Sequence, residues 1–117
     1  MFVAKNNRTT GSHYETRVAA FLQKQGFQIL EKNYRCRSGE IDLIARDGRY
    51  LVFVEVKYRS SRHAGTALEA INWRKAEQVR RVAAFYLYQK RYPEETPVRF
   101  DAAGVDGDQI TYIKNAF

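Results

Sequence analysis

The sequence predicts an α/β fold in which a mixed β-sheet is flanked by helices, in the order α-β-β-β-α-β-β. Two stretches carry apolar residues at helical spacing, and five short apolar stretches bounded by turn residues are typical of strands. With 117 residues, 44% of them hydrophobic, residues 1–117 fit a single domain with one core.

The first helix is expected to begin at Ser12, because Ser12 and Glu15 have the spacing of a capping box. Gly26 is placed to end it. Residues 1–11 are polar and are expected to be flexible. Apolar residues on one helical face follow the predicted cap: Tyr14, Val18, Phe21 and Leu22.

Three strands are expected next. The first lies around Phe27–Asn33, and two stronger ones, Gly39–Ala45 and Tyr50–Lys57, flank the pair Asp47-Gly48. Asp-Gly between apolar strands is typical of a tight hairpin turn. The strand Tyr50–Lys57 is so rich in valine and aromatic residues that it is predicted to lie centrally in the sheet.

The second helical stretch is expected to open at the capping box Thr66–Glu69 and to run to about Tyr92, with Asn72 as a point where it can break. Val98–Val105 and Gln109–Ile113 predict a final strand pair. The helix is expected to bury one stripe: Leu68, Ile71, Val79, Val82, Ala83 and Tyr86.

Positive charge is concentrated in one third of the chain. The formal net charge is +7, and the stretch from Lys57 to Tyr92 holds nine basic and only two acidic residues, so the rest of the chain nets to zero. Such asymmetry favours a polyanionic partner such as nucleic acid, since basic side chains at phosphates release condensed counterions. A solvated basic helix face without a partner is the alternative.

The chain is expected to be cytoplasmic and free of membrane segments. Its opening residues soon become polar and basic, unlike a signal peptide, and no apolar run is long enough to cross a bilayer. Its one cysteine, Cys36, excludes an internal disulfide, and no Cys/His cluster points to zinc.

The hairpin gives a geometric prediction for four charged residues. If Asp47-Gly48 is a two-residue turn, Glu40 lies opposite Glu55, and Asp42 lies diagonally from Glu55 at roughly 7–8 Å. Alternation then places Glu40, Asp42, Glu55 and Lys57 on one face. The other face is expected to be apolar and to pack on a helix, with Ile41, Leu43, Val52, Val54 and Val56.

Three carboxylates on one sheet face repel one another, and a divalent cation would resolve the conflict. Mg²⁺ suits a site of one or two carboxylates, waters and a substrate phosphate. Asp42, Glu55 and Glu40 are the predicted ligands, with Lys57 placed to orient water or to steady charge on phosphorus. An internal salt bridge of Lys57 with Glu55 or Glu40 is the alternative.

The spacing also carries a family resemblance. Gly39–Ile44 and Phe53–Lys57, with twelve residues between Asp42 and Glu55, resemble the PD-(D/E)xK nuclease signature, although Ile41 replaces its proline. Nearly the whole chain is similar to the YraN-type family of small bacterial proteins. The matching positions are Gly11, Glu15, Gly26-Phe27, Asn33–Arg35, Phe53–Arg59, Lys75, Arg99–Asp101 and Asn115–Phe117.

The resemblance implies a restriction-endonuclease-like fold, similar to Holliday-junction resolvases. It implies that Asp42 binds the metal, Mg²⁺ or Mn²⁺, that Glu55 is the second carboxylate and that Lys57 is the catalytic lysine. Glu15 matches an acidic residue that resembling resolvases place near the metal, and a capping role for Glu15 is equally compatible with the sequence.

Contacts to nucleic acid are expected just beyond the motif, in the loop and helix that follow Lys57. Tyr58 and Trp73 are candidates for stacking on bases or for simple packing. The helix around Trp73–Tyr92 is a candidate homodimer surface. The predicted nucleic-acid contacts are Tyr58, Arg59, Arg62, His63, Arg74 and Lys75.

These expectations favour a Mg²⁺- or Mn²⁺-dependent endonuclease that hydrolyses DNA phosphodiesters, including those of branched DNA. Two other classes remain open: a nucleic-acid-binding module without turnover, and a scaffold whose basic helix docks an acidic protein. The carboxylates argue against a pure binder, because it needs no acids beside phosphate.

Overall fold

The structure, a computed structural model, describes the backbone of residues 2–59 and 72–117 and the side chains of residues 13–58 and 72–117. The observed element order confirms the predicted α/β fold. In chain order the elements are α1 (Phe2–Lys24), β1 (Gln28–Cys36), β2 (Gly39–Asp47), β3 (Tyr50–Arg59), α2 (Trp73–Gln89), β4 (Val98–Asp106) and β5 (Gln109–Ile113).

The five strands form one mixed sheet in the order β1-β2-β3-β4-β5. Neighbouring strands are antiparallel except β3 and β4, which run parallel and are joined through α2. The valine-rich strand β3 is the middle strand, as its composition predicted. Because β3 is covered on both faces, the groups at its carboxyl end are held between two layers of helix.

Each face of the sheet packs against one helix. Val18, Ala19 and Leu22 of α1 cover one face, and Val79, Val82, Ala83 and Tyr86 of α2 cover the other. Gly39 meets α2 so closely that a Cβ atom there would lie 2.7 Å from the Gln78 amide nitrogen. Neither helix that the structure describes combines the length and apolarity needed to cross a membrane.

The predicted start of the first helix was wrong. α1 begins at Phe2, so Ser12 lies inside the helix and is not its N-cap. No proline interrupts the preceding residues, so nothing in the backbone stops the helix from extending upstream. The flexibility expected of residues 1–11 stays a prediction. Gly26 follows the end of α1 with φ 97, as predicted.

Asn72 caps α2, because its side chain accepts a hydrogen bond from the Lys75 N–H. The predicted break of a longer helix at Asn72 stays a prediction, because the helical stretch expected before it lies outside the described residues. The expected capping box Thr66–Glu69, with Leu68 and Ile71, lies outside the described residues. The part of the predicted stripe that the structure describes is buried: Val79, Val82, Ala83 and Tyr86.

The predicted position of the hairpin turn was wrong by one residue. Asp47 pairs with Tyr50, so the turn residues are Gly48 and Arg49. Gly48 takes φ 62 at the first turn position, which a glycine adopts without steric cost. Asp47 remains in β2, where its carboxylate lies 2.9 Å from the Arg99 guanidinium. The pairing of β2 with β3 ends at Leu43 and Val54, so the predicted placement of Glu40 opposite Glu55 was wrong.

Candidate active site

Side-chain alternation along β2 breaks at Asp42. Ile41 and Ile44 both pack on the α2 side, whereas Leu43 packs on the α1 side. Strict alternation would put positions 41 and 44 on opposite faces. The pairing of β2 with β3 also stops here, at Leu43 and Val54. The expectation that Ile41 shares a face with Leu43 was therefore wrong.

The Asp42 carboxylate fills the gap between the separating strands. Its Oδ2 atom accepts a 2.7 Å hydrogen bond from the Val56 N–H. The side chain thus accepts from the amide of one strand where the backbone ladder has ended. This bond fixes the carboxylate between the groups that face α1 and those that face α2.

On the α1 side, three carboxylates converge. Oxygen atoms of Glu15, Glu40 and Asp42 all lie within 4.8 Å of one another. Glu15 is buried, and Glu40 is half-buried with an ion pair to Arg35 at 3.5 Å. Since Ser12 does not cap α1, Glu15 has no capping-box role, and its side chain is directed at this cluster.

On the α2 side, Glu55 lies between two lysines. Its Oε2 atom is 3.6 Å from Lys75 Nζ and 3.8 Å from Lys57 Nζ, and its side chain is only 3% exposed. The prediction that all four charged residues share one face was therefore wrong: Glu40 approaches Glu15 of α1, and Glu55 contacts α2. Asp42 connects the two groups.

Two oxygens in this arrangement are unsatisfied. Among the side chains that the structure describes, the buried nitrogen and oxygen atoms without a hydrogen-bond partner are Glu15 Oε1 and Glu55 Oε1. A buried acceptor without a partner costs about 1–3 kcal/mol of stability. Both orphaned atoms belong to carboxylates that neighbour Asp42.

Burial and mutual repulsion raise the pKa of both glutamates. For Glu15, burial and then the Asp42 charge raise the pKa from 4.5 to about 8, against a hydrogen bond from Asn33. For Glu55, burial and the Asp42 charge raise the pKa to about 8, although Lys75 and Lys57 act to lower it. Both groups therefore favour the protonated form near neutral pH until a cation approaches.

These residues fit a divalent cation. Oxygen ligands of one Mg²⁺, at about 2.1 Å from the ion, lie roughly 3–4 Å apart, so three oxygens within 4.8 Å need only small side-chain rotations to share it. An all-carboxylate donor set suits a hard cation such as Mg²⁺ or Mn²⁺. The orphaned oxygens of Glu15 and Glu55 supply unused acceptors on either side of Asp42.

A basic cleft of about 440 Å³ adjoins Glu55. It is formed where the start of α2 meets the end of β3. Four cations and two amide side chains line it: Lys57, Arg74, Lys75, Arg81, Asn72 and Gln78. None of the described residues that line it carries a carboxylate, so the cleft is suited to an anion such as phosphate.

The structure brings some of the predicted nucleic-acid contacts together and leaves others outside. Arg74 and Lys75 line the cleft, whereas Tyr58 stacks on Tyr14 on the α1 side. Arg62, His63 and the Arg59 side chain lie outside the described residues. Trp73 is 72% exposed at the start of α2.

Sequence reasoning missed three contributors. Arg81 and Gln78 line the cleft, and Asn33 hydrogen-bonds Glu15 from a backbone with φ 54. The spacing of Arg74, Gln78 and Arg81, at i, i+4 and i+7, places them on one helical face and was a usable signal. Asn33 was identified only as a position that matches the family pattern, because its approach to Glu15 depends on the local backbone of β1.

Comparisons with known proteins agree on one family. The family model described as "Uncharacterised protein family UPF0102" matches residues 14–105. A UPF0102 protein of Lachnoclostridium phytofermentans is 48% identical over 112 residues, 96% of this chain and 95% of the relative. One from Photobacterium profundum is 42% identical, covering 94% of this chain and 90% of the relative. One from Janthinobacterium sp. is 43% identical, covering 91% and 85%.

Glu15→Gln is expected to stabilise the metal-free protein at pH 8. The unfolded chain loses the Glu15 proton near pH 4.5 and the folded chain near pH 8, so the free energy of unfolding falls as pH rises between these values. Glutamine removes this loss and should add about 1–2 kcal/mol at pH 8, with little gain at pH 5. Urea unfolding in EDTA at both pH values measures it.

Glu94→Gln, at an exposed loop position, is the matched control and should leave the pH dependence unchanged. A Glu15→Gln variant that is less stable than the wild type at pH 8 would show that the carboxylate is satisfied in the metal-free protein.

Proposed function

The chain belongs to the UPF0102 family, and from the geometry of its site we propose that it is a Mg²⁺- or Mn²⁺-dependent endonuclease acting on DNA. The observation that carries this proposal is the position of Asp42. Its carboxylate, fixed by the Val56 N–H, lies among Glu15, Glu40 and Glu55, and Lys57 neighbours Glu55.

The loss of stability caused by the buried carboxylates supports the proposal of metal binding. Glu15 and Glu55 are buried with an unused oxygen each, which folding alone would select against. A protein that needed only stability would have apolar side chains of similar volume at these positions, because a buried ionic group rarely contributes more stability than such side chains do. A cation bound by Glu15, Glu40 and Asp42 would supply the missing partner of Glu15, and Glu55 lies outside this cluster.

The basic cleft supports a phosphate-bearing substrate. Lys57 belongs both to the cleft and to the Glu55 ion pair, so an anion in the cleft lies directly beside the carboxylates. Cations that line a groove hold the nucleic-acid backbone without reading its sequence. The contiguous arrangement of cleft and carboxylates supports the proposal of phosphodiester hydrolysis.

In the proposed reaction, residues of this chain position the nucleic acid and stabilise the negative charge that develops on the phosphate. Arg74, Lys75 and Arg81 hold the backbone. Water attacks phosphorus in line and loses a proton to solvent, while the opposite P–O bond breaks and the sugar oxygen leaves as a hydroxyl after taking up a proton. Lys57 donates to the phosphate oxygens on which charge grows. A divalent ion bound by Asp42 with its neighbouring glutamates would lower the pKa of a water molecule and offset phosphate charge. The 34% exposure of the Lys57 side chain leaves its ammonium accessible to substrate.

A nucleic-acid-binding module without turnover is the second candidate, favoured by the cleft alone. A binding module does not explain why the three carboxylates Glu15, Glu40 and Asp42 lie near a surface proposed to bind phosphate, where their negative charge would weaken the affinity for DNA. A scaffold for an acidic protein meets the same objection. We further place the protein in the cytoplasm, and a homodimer through the Trp73–Tyr92 surface stays a prediction.

Metal-dependent cleavage is expected, and Asp42→Asn and Lys57→Ala should each slow it by about 100-fold or more, because they remove a metal ligand and a charge donor. Labelled linear, flapped, four-way and single-stranded DNA are incubated with Mg²⁺, Mn²⁺ or EDTA. Circular dichroism verifies that each variant folds.

Glu94→Gln serves as the matched carboxylate control, since Glu94 lies in the loop before β4, and should cut as the wild type does. If the wild type binds DNA and never cuts it with either ion, the binding module replaces the nuclease as the preferred function.

Arg74→Glu is expected to weaken DNA binding about tenfold and to lower the salt dependence of binding by about one counterion or more. Arg49→Glu changes the net charge equally at the β2–β3 turn, the other end of the sheet, and should have a much smaller effect. Fluorescence anisotropy from low to high salt measures both. Equal losses in the two variants would mean that net charge, not the cleft, governs binding.

A further inference from the structure

Two tyrosines form a stacked pair beside the carboxylates. The rings of Tyr14 and Tyr58 lie 4.1 Å apart between centres with an interplanar angle of 13°. Tyr14 immediately precedes Glu15 on α1, and Tyr58 immediately follows Lys57 on β3. The pair therefore adjoins both the acidic cluster and the strand that carries the lysine.

The pair is held firmly on the Tyr14 side. The His13 ring lies edge-on at 5.4 Å, and the Arg17 guanidinium lies 5.8 Å from the Tyr14 ring centre. Arg17 also donates a 3.2 Å hydrogen bond to the Gly107 carbonyl, which ties α1 to the β4–β5 turn. Tyr14 itself packs against the core under α1.

Tyr58, by contrast, remains 44% exposed although it stacks on Tyr14. An aromatic ring that is held by stacking and still partly exposed can take a second planar partner. Nucleobases are such partners, because each has a π-face that stacks on tyrosine whatever its sequence. The cations of the cleft lie at the same end of β3 on its α2 side, where they would contact the phosphates of flanking nucleotides.

Base pairing decides which bases can reach this ring. In an uninterrupted duplex each base face is covered by its neighbours, so stacking on a protein ring requires an unpaired or splayed base. Successive side chains of a strand point to opposite faces, so Tyr58 lies on the α1 side with the acidic cluster, whereas Lys57 lies on the α2 side. A base stacked on Tyr58 is therefore placed beside the acidic cluster.

Resting on the proposed function, we infer that Tyr58, supported by Tyr14, stacks on an unpaired base adjacent to the phosphate that is cut. The substrate class is therefore DNA with a single-stranded segment, such as a strand end or flap, and not continuous duplex. Tyr58 acts in substrate selection and takes no part in the chemical step.

The test measures binding apart from cleavage. Fluorescence anisotropy in EDTA compares a labelled single-stranded oligonucleotide with a blunt hairpin duplex, using wild type, Tyr58→Ala, Tyr58→Leu and Tyr58→Phe. Tyr88→Ala is the matched control, because Tyr88 is 83% exposed on α2, about 20 Å along the helix from Lys75. Thermal unfolding establishes that each variant is folded.

Tyr58→Ala and Tyr58→Leu should weaken single-strand binding by about five- to a hundredfold and duplex binding by less than about twofold. Tyr58→Phe, which keeps the ring, and Tyr88→Ala should bind as the wild type does. Equal losses on both DNA forms, no loss on the single strand, or no binding of single strands by the wild type would overturn the inference.

Cleavage of a flapped DNA with Mg²⁺ separates this inference from the proposed function. If the wild type cuts and Tyr58→Ala keeps the wild-type preference for the flap over duplex, the nuclease stands and the role of Tyr58 fails. If Tyr58 governs single-strand binding and no DNA is cut, the stacking surface stands and the catalytic proposal fails.

Discussion

The hydrogen bond from the Val56 N–H to the Asp42 carboxylate is the constraint on which the site depends. It forms where β2 and β3 stop pairing, and it holds one carboxylate in the gap between two strands whose remaining charged groups face opposite helices. Without it, the acids near α1 and the Glu55–lysine group near α2 would be separate surface features. With it, they form one contiguous arrangement around Asp42.

This arrangement concentrates a cost that the surrounding fold offsets. Glu15 and Glu55 are buried beside Asp42, and their raised pKa values express the repulsion. The cores under α1 and α2 are apolar, and the destabilised groups lie around Asp42, where β2 and β3 stop pairing. Buried charged groups that lower the stability of the fold locally are typical of functional sites.

Most of the fold was predictable because its signals are local. The element order and the central position of β3 follow from composition and periodicity. The hairpin register was missed because Asp-Gly was taken as the turn, whereas only Gly48 has positive φ and Asp47 stays in the strand with Arg99. The start of α1 was missed because the Ser12–Glu15 spacing occurs inside helices as well as at their ends. The spacing of the motif identified the site residues. Their division between the two faces of the sheet depends on the break in side-chain alternation at Asp42, which strict alternation along a strand does not predict.

Anomalous diffraction from crystals soaked in Mn²⁺ measures whether the carboxylates that meet at Asp42 hold a divalent ion. An anomalous peak is expected within about 2.1–2.3 Å of an Asp42 oxygen and of at least one oxygen of Glu15, Glu40 or Glu55. Crystals of Asp42→Asn should lose this peak. No peak at saturating Mn²⁺, or one bound only by residues away from Asp42, would mean that Asp42 does not hold the ion.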